Sequence, residues 1–278
     1  LAAVAAGALA PRAGAQRATN APAAVPAYEV YALRYASLPF RMSDLVVGAD
    51  TSRKLDIAMM VWLIRAPGGR VVLVDAGFYR DKFMTQWKPA QFVRTDSLIS
   101  RLGLKPADVT DMIVTHVHWD HFDGADLYPK ARFWIQREEV EHHIDSTGKV
   151  LDRTIDRIDA AMLQELRAAG RVQLVDGDAR EIMPGITVYT GGKHTFQSQY
   201  VGVKTAEGTV VLASDNVYMY ENFDTHAPIA QTLDRAANVA AQDRMLTIAS
   251  NSRLIVPGHD PAVFTRFVLV APGIVRIR

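Results

Sequence analysis

Short apolar runs alternate with glycine-rich and polar breaks along most of the chain. Alternating apolar positions in residues 28–33 predict a first strand. Uninterrupted apolar runs bounded by turn residues predict further strands that are buried. The predicted strands span residues 28–33, 59–64, 71–74, 112–114, 132–136, 172–175, 186–189, 200–204, 209–213 and 254–256.

Four segments have the composition of helices, at residues 95–102, 137–144, 154–169 and 232–250. Gly103 and Gly170 end two of them. Strands outnumber helices, and the helices fall between groups of strands. This order predicts an α/β fold in which two sheets pack face to face with helices outside.

The first 26 residues differ in character from the rest. Residues 1–10 form an alanine-rich apolar run that is too short to span a bilayer, and the triplet Ala13-Gly14-Ala15 precedes Gln16. This pattern predicts the remnant of a secretory signal peptide cleaved before Gln16, and so a periplasmic or secreted protein. The alternative is an alanine-rich tail on a cytoplasmic protein. Residues 17–26 are interpreted as a flexible leader, and residues 27–278 as one folded domain.

The amino-acid composition restricts the possible chemistry of the protein more than it restricts the possible folds. Hydrophobic residues make up 49% and charged residues 22% of the chain, which suits a globular protein with a sizeable core. The formal net charge of +1 gives no general attraction to nucleic acid or to an anionic membrane. There is no cysteine, so disulfides, cysteine catalysis and thiolate ligands are excluded. Any bound metal must be held by nitrogen and oxygen.

The segment from Thr115 to His121 concentrates three histidines and one aspartate directly after a predicted strand. His116 and His118 are two residues apart, so they share a face in an extended segment. Asp120 and His121 lie in the turn that follows, so their side chains can bind at a second position. Imidazole and carboxylate are ligands of zinc and similar divalent ions. The alternative is a surface cluster or a tag, but tags are usually terminal and uniform, whereas this run is internal and mixed.

Three later residues lie where predicted strands or turns end. His194 closes the turn that begins at Thr190, Asp215 follows an apolar strand, and His259 follows the last one. Each residue alone fits an ordinary loop position. The ordered set is far more specific, and it provides seven ligands, more than one tetrahedral ion can use. The sequence therefore predicts two divalent metal ions per chain, with Zn²⁺ expected.

The H-x-H-x-D-H run followed by a distant His, Asp and His resembles the metallo-β-lactamase superfamily. The resemblance extends from about Tyr28 over nearly the whole chain. It implies an αββα sandwich with the site at one edge of the two sheets, and a hydrolase domain over residues 27–278. By position it implies a first metal on His116, His118 and His194, a second on Asp120, His121 and His259, and a bridging Asp215.

Within the superfamily the chain is most similar to the quorum-quenching N-acyl-homoserine lactonases. The likeness rests on residues 61–64, 72–77, 104–109, 133–139 and 258–260, and on Tyr218 three residues after Asp215. It implies that a metal-bridging hydroxide opens a lactone ring, with Tyr218 as hydrogen-bond donor and Asp120 as general acid. The expected partners are a small-molecule lactone or ester and a second copy in a homodimer, with no nucleic acid and no membrane span.

Two features depart from the lactonase pattern. The turn from Thr190 to His194 is one residue longer than the family's T-P-G-H and lacks its proline. Phe122-Asp123-Gly124 follows His121, where the family usually has small residues. Both departures change the rim of the pocket and leave the ligands intact. Trp119 is predicted either in the core or on the acyl pocket, while His142 and His143 are expected on a solvated helix.

Other activities of the superfamily remain alternatives. A metallo-β-lactamase with histidine ligands, or a broad esterase or thioesterase, would use the same metal site. A glyoxalase-type thioesterase normally carries a longer helical segment after its last ligand than the 19 residues that follow His259. Nucleases of this fold need basic surfaces or extra domains, and oxygen-reducing diiron relatives have glutamate at the position of His118. A non-catalytic binding module would be expected to have lost ligands.

Overall fold

The computed structural model describes residues 2–3, 27–66 and 68–278. The predicted signal-peptide remnant and leader, residues 1–26, therefore lie outside the described residues except for Ala2 and Ala3. Among the described residues, no helix is both long enough and apolar enough to cross a membrane.

Thirteen strands form two sheets in the described part of the chain. The strands are β1 Glu29–Arg41, β2 Lys54–Arg65, β3 Val71–Val74, β4 Val109–Ile113, β5 Arg132–Gln136, β6 Val172–Val175, β7 Arg180–Met183, β8 Ile186–Thr190, β9 Gln199–Thr205, β10 Gly208–Ser214, β11 Ile255–Pro257, β12 Val268–Ala271 and β13 Ile274–Arg276. The larger sheet has the order β12-β13-β1-β2-β3-β4-β5-β6, and the smaller has the order β11-β10-β9-β8-β7.

Eight α-helices lie among these strands in the described residues. They are α1 Asp81–Trp87, α2 Thr95–Ile99, α3 Trp119–Phe122, α4 Arg137–His143, α5 Arg157–Ala168, α6 Tyr220–Asp224, α7 Arg235–Ile248 and α8 Val263–Arg266.

Three apolar clusters separate the layers. Side chains such as Trp62 and Val74 of the larger sheet meet Val201 and Leu212 of the smaller one in the central cluster. A second cluster fills the opposite face of the larger sheet, where residues of α2, α4 and α5 pack. A third places Met245 of α7 on the outer face of the smaller sheet. Helices therefore cover both outer faces, and the predicted αββα sandwich is confirmed.

The topology brings particular strand ends together. β3, β4 and β5 run parallel in the larger sheet, and β10 and β11 run parallel in the smaller one. Carboxyl ends of parallel neighbours meet at the same edge of a sheet, which is where open α/β sheets place their ligands. Residues that follow these strands can therefore converge at one edge of the sandwich.

Candidate metal centre

All seven predicted ligands gather at this edge of the sandwich. His116 and His118 lie in the segment after β4, and Asp120 and His121 lie in the short helix α3. The smaller sheet contributes the other three residues, which follow β8, β10 and β11: His194, Asp215 and His259.

The ligands form two groups that match the predicted division. His116, His118 and His194 form one group, and Asp120, His121, Asp215 and His259 form the other. In the first group, His118 Nδ1 lies 3.1 Å from His116 Nε2 and 3.0 Å from His194 Nε2. Three nitrogens bound to one tetrahedral zinc ion would be about 3.3 Å apart, given Zn–N distances near 2.0 Å.

Asp215 lies between the two groups. Its Oδ1 atom is 3.2 Å from His121 Nε2 and 3.1 Å from His259 Nε2. Its Oδ2 atom faces the first group, 3.4 Å from His194 Nε2 and 3.8 Å from His116 Nε2. Asp120 Oδ2 completes the second group at 3.5 Å from His121 Nε2. One carboxylate thus offers a separate oxygen to each group, as a bridging ligand does.

Hydrogen bonds on the far side of four imidazole rings fix their orientation. Each Nδ1–H has an oxygen partner, so each Nε2 lone pair points into the site. The acceptors are Thr115 Oγ1 for His116, Asp75 Oδ2 for His121, Gln231 O for His194 and Ala58 O for His259.

The donor set fits divalent metal ions. His121 Nε2 and Asp215 Oδ1 are buried and have no hydrogen-bond partner among the described residues, which is costly for polar atoms unless an ion accompanies them. Burial lowers the pKa of His116, and burial with neighbouring His194 lowers that of His118 to about 3. Neutral imidazoles are the form that binds metal. For His121 and His259 the lowering effect of burial is outweighed by the charges of Asp215 and Asp120, which raise the pKa of each ring, so divalent ions would replace a proton on each of these rings. The two carboxylates would leave a pair of divalent ions with net positive charge.

Two buried carboxylates that support the ligands were not predicted. Asp75 accepts hydrogen bonds from His121 Nδ1, Thr115 N and Thr115 Oγ1, each at 2.8 Å. Glu139 accepts from Val117 N at 3.4 Å and Gln197 N at 2.7 Å, joining the two segments that carry the first group. Asp75 follows the apolar strand β3 as Asp215 follows β10, so that pattern is the signal that could have identified it.

A cavity of about 280 Å³ opens over the metal-ligand groups. His118, Asp120, His194, Asp215 and His259 form its base, and Tyr218 also lines it. No lysine or arginine is among its described lining residues. Its apolar wall consists of Leu38, Phe40, Leu45, Ile57, Met59, Trp87 and Trp119.

The two aromatic residues singled out by sequence both line this cavity. Trp119 is half-buried and stacks with Trp87 at 5.1 Å and with Phe83 at 5.0 Å, so it contributes to both core and pocket. Tyr218 is buried, with its hydroxyl 3.3 Å from His194 Nδ1. Burial, with Asp215 and Asp120 nearby, raises the pKa of Tyr218 well above its ordinary value, so the phenol keeps its proton.

Two basic residues near the site have other partners. The Lys193 ammonium donates to Phe196 O at 2.7 Å and to Gln197 Oε1 at 2.9 Å, and it is absent from the cavity lining. The prediction of a solvated His143 was wrong, because its ring is buried and its Nδ1 donates to Glu139 O at 2.7 Å. Val140 and His143 are three residues apart in α4, so both face inward.

Comparison with known proteins places this site in a family context. The family model of the metallo-beta-lactamase superfamily matches residues 60–261, a match that starts later than Tyr28. The N-acyl homoserine lactonase AiiA of Bacillus thuringiensis subsp. kurstaki is 25% identical over 170 residues, which are 60% of this chain and 62% of that protein. The chain thus spans less than two thirds of the length of the Bacillus relatives.

A second relative is similar over a longer stretch. The N-acyl homoserine lactonase AttM of Azorhizobium caulinodans is 26% identical over 272 residues, covering 88% of this chain and 97% of that protein. Among solved structures, a quorum-quenching N-acyl homoserine lactone lactonase has a TM-score of 0.71 and 20% identity, over 91% of this chain and 99% of that one. At this identity the structural likeness establishes the fold.

Proposed function

This chain belongs to the metallo-β-lactamase superfamily, and we propose that it is a dinuclear metal-dependent hydrolase that opens the ring of an N-acyl-homoserine lactone. His116, His118 and His194 would hold the first ion and Asp120, His121 and His259 the second, with Asp215 bridging. Zn²⁺ is the proposed metal, because imidazole and carboxylate suit it. When bound, such a pair supplies Lewis acidity and lowers the pKa of coordinated water toward about 7.

Two side chains of the cavity would act on the lactone itself. The Tyr218 phenol, held neutral by its buried position, would donate a hydrogen bond to the carbonyl oxygen as negative charge develops there. Asp120 would accept a proton from the attacking water and pass it to the ring oxygen as the bond from that oxygen to the carbonyl carbon breaks. The net reaction adds water across this bond and gives a free hydroxyl group and a carboxylic acid, which ionises to a carboxylate and a proton.

The observation that carries the choice of substrate is the apolar wall of the cavity, together with the lack of lysine and arginine among its described lining residues. A β-lactam presents a carboxylate to its pocket, and a cationic side chain usually receives it. Among the described lining residues no such cation is present, and Lys193 is engaged with Phe196 and Gln197. An uncharged lactone with an acyl chain suits the apolar wall. The names of the relatives AiiA and AttM support the same substrate class.

The proposal is tested with a panel of substrates on purified, zinc-loaded protein. The panel contains acyl-homoserine lactones, other lactones, aryl esters, thioesters and β-lactams. We expect the highest kcat/KM on an acyl-homoserine lactone and a zinc content of two per chain. A preference for β-lactams or thioesters would replace the lactone assignment, and full activity with one zinc or none would refute the dinuclear mechanism.

A further inference from the structure

The loop that carries His194 packs unusually closely against two buried asparagines. A Cβ atom added to Gly191 would lie 2.0 Å from Asn216 Oδ1, and one added to Gly192 would lie 2.5 Å from Asn238 Cα. Contacts this short do not occur between real side chains and their neighbours. Both positions therefore require glycine, because a side chain would overlap the neighbouring asparagine. The position of the loop is accordingly set by its packing against Asn216 and Asn238.

The side chain of Asn216 uses its whole hydrogen-bonding capacity on this region. Its Oδ1 accepts from Gly192 N at 2.8 Å and from Ser198 Oγ at 3.0 Å. Its Nδ2 donates to Ala213 O at 3.1 Å and, at 3.4 Å, to Gln199 O. A fully satisfied buried amide has one orientation, so it fixes the backbone groups that it contacts.

Asn238 of α7 holds Asn216 in turn. Its Nδ2 donates to Asn216 O at 3.0 Å, and its Oδ1 accepts from Ile229 N and Gln242 Nε2, both at 3.0 Å. Both asparagines are buried. The His194 loop is thus tied to α7 through Asn216.

We propose that Asn216 is a positioning residue that couples the third histidine ligand to the bridging carboxylate. Asn216 directly follows Asp215 in the chain, and its side chain binds the backbone two residues before His194. One residue therefore sets the distance between Asp215 and His194, which both face the first metal. The inference rests on the metal centre of the proposed function.

The test compares zinc affinities of wild type and Asn216→Ala by competition with a chelator. Substitution of residues that hold metal ligands in place typically weakens metal binding about 10- to 100-fold. We expect Asn216→Ala to lower the affinity for one of the two zinc ions by this factor, while the affinity for the other stays close to the wild-type value. The matched control is Asn222→Ala, which removes another buried amide, one that bonds Met219 N and Ala227 O but no ligand-bearing loop. It should melt at a lower temperature and keep both affinities.

The outcomes separate the two proposals. Wild-type zinc affinities in Asn216→Ala, or a loss no different from that of Asn222→Ala, would overturn the positioning role and leave the proposed function intact. A wild-type chain that binds no zinc would overturn both. If Asn216→Ala does not fold, Asn216→Ser is measured in the same way. It retains a hydroxyl at this position, so a selective but smaller loss is expected, and unchanged affinities again contradict the role.

Discussion

Tyr218 is held so that its hydroxyl hydrogen is free for substrate. The nearby His194 Nδ1 carries its own hydrogen, which it donates to Gln231 O at 2.8 Å, so Tyr218 need not donate to that ring. The tyrosine ring lies between His194 and His259, with ring centroids 5.7 and 5.6 Å away. A single donor placed between residues of the two metal groups is suited to an oxyanion that forms between them.

Tyr218→Phe should lower kcat/KM for an acyl-homoserine lactone by about 10- to 1000-fold, the scale of losing one oxyanion donor. Zinc content should stay at the wild-type value, since Tyr218 is not among the proposed ligands. The measurement is steady-state kinetics with metal quantified in both proteins. Tyr200→Phe serves as the control, because that buried hydroxyl has no partner and lies outside the cavity lining. Full lactone activity in Tyr218→Phe would remove its assigned role without affecting the metal proposal.

Residue-level prediction from the sequence identified the seven residues that the structure brings together, but not the residues that support them. The ligands follow strands and form a dense motif, so order along the chain was enough to propose them. Asp75, Glu139 and Asn216 form hydrogen bonds to residues 46, 58 and 24 positions away, respectively. Such partners depend on tertiary packing, and no local pattern encodes them except the strand-end position of Asp75. The orientation of the Lys193 side chain likewise depends on packing, since its ammonium lies 4.8 Å from the centroid of the Phe196 ring.

At the scale of elements, α5 brings an acidic group against a charged cluster. Asp159 is buried, and its two side-chain oxygens have no hydrogen-bond partner in the part of the chain that the structure describes. Arg80 Nη1 lies 3.6 Å from its Oδ1. Arg80 is already engaged by Asp123 at 2.5 Å. Burial, and then the charge of Asp123, raise the pKa of Asp159 to about 8, with Asp156 acting in the same direction and Arg80 and Lys82 opposing it.

This shift predicts a loss of stability as pH rises. The folded pKa of about 8 exceeds the ordinary value of 3.8, so the folded state favours the protonated acid. The contribution is complete below about pH 4 and is lost as pH rises through about 8, at up to about 1.4 kcal/mol per pH unit. Asp159→Asn should therefore be more stable than wild type at pH 9 and show a flatter pH dependence between pH 5 and pH 9.

The measurement is urea unfolding of wild type and Asp159→Asn at several pH values. Glu165→Gln, on an exposed position of the same helix, is the control and should follow the wild-type pH profile. Parallel profiles for Asp159→Asn and wild type would show that Asp159 does not titrate with a raised pKa.

The bounds of strands were predicted best where a segment is short and mostly apolar. β3, β5 and β6 have the predicted bounds, because each is a short, mostly apolar segment followed directly by a charged residue. β1 extends eight residues beyond the predicted end at Leu33, because a register shift between Arg34 and Ala36 breaks the alternation while pairing with β2 continues. The short helices α1, α3, α6 and α8 were not predicted, since segments of this length carry little helical periodicity. The equally short α2 and α4 were predicted from their composition.

At the scale of the whole molecule, the metal centre joins the two sheets. Four of the proposed ligands follow β4 in the larger sheet, and three follow strands of the smaller sheet. The central apolar cluster holds the sheets together away from this edge. At the edge itself, the proposed ions would add to the hydrogen bonds that Glu139 makes to Val117 N and Gln197 N, with Asp215 of the smaller sheet sharing ions with His116 and His121 of the larger one.

Metal removal should therefore lower the stability of the entire domain and not of one loop. An ion that binds only the folded state stabilises it by about 4 kcal/mol per site at a free concentration 1,000 times its dissociation constant. Removal would also leave the buried carboxylate of Asp215 and the partly buried carboxylate of Asp120 without a compensating ion. Chelation should lower the midpoint of thermal unfolding, and added zinc should restore it. His226→Ala, which removes an exposed histidine outside both groups, should respond to the chelator as wild type does. His116→Ala should lose part of that response. Equal melting temperatures for zinc-loaded protein and for protein proven free of metal would contradict a structural link between the sheets.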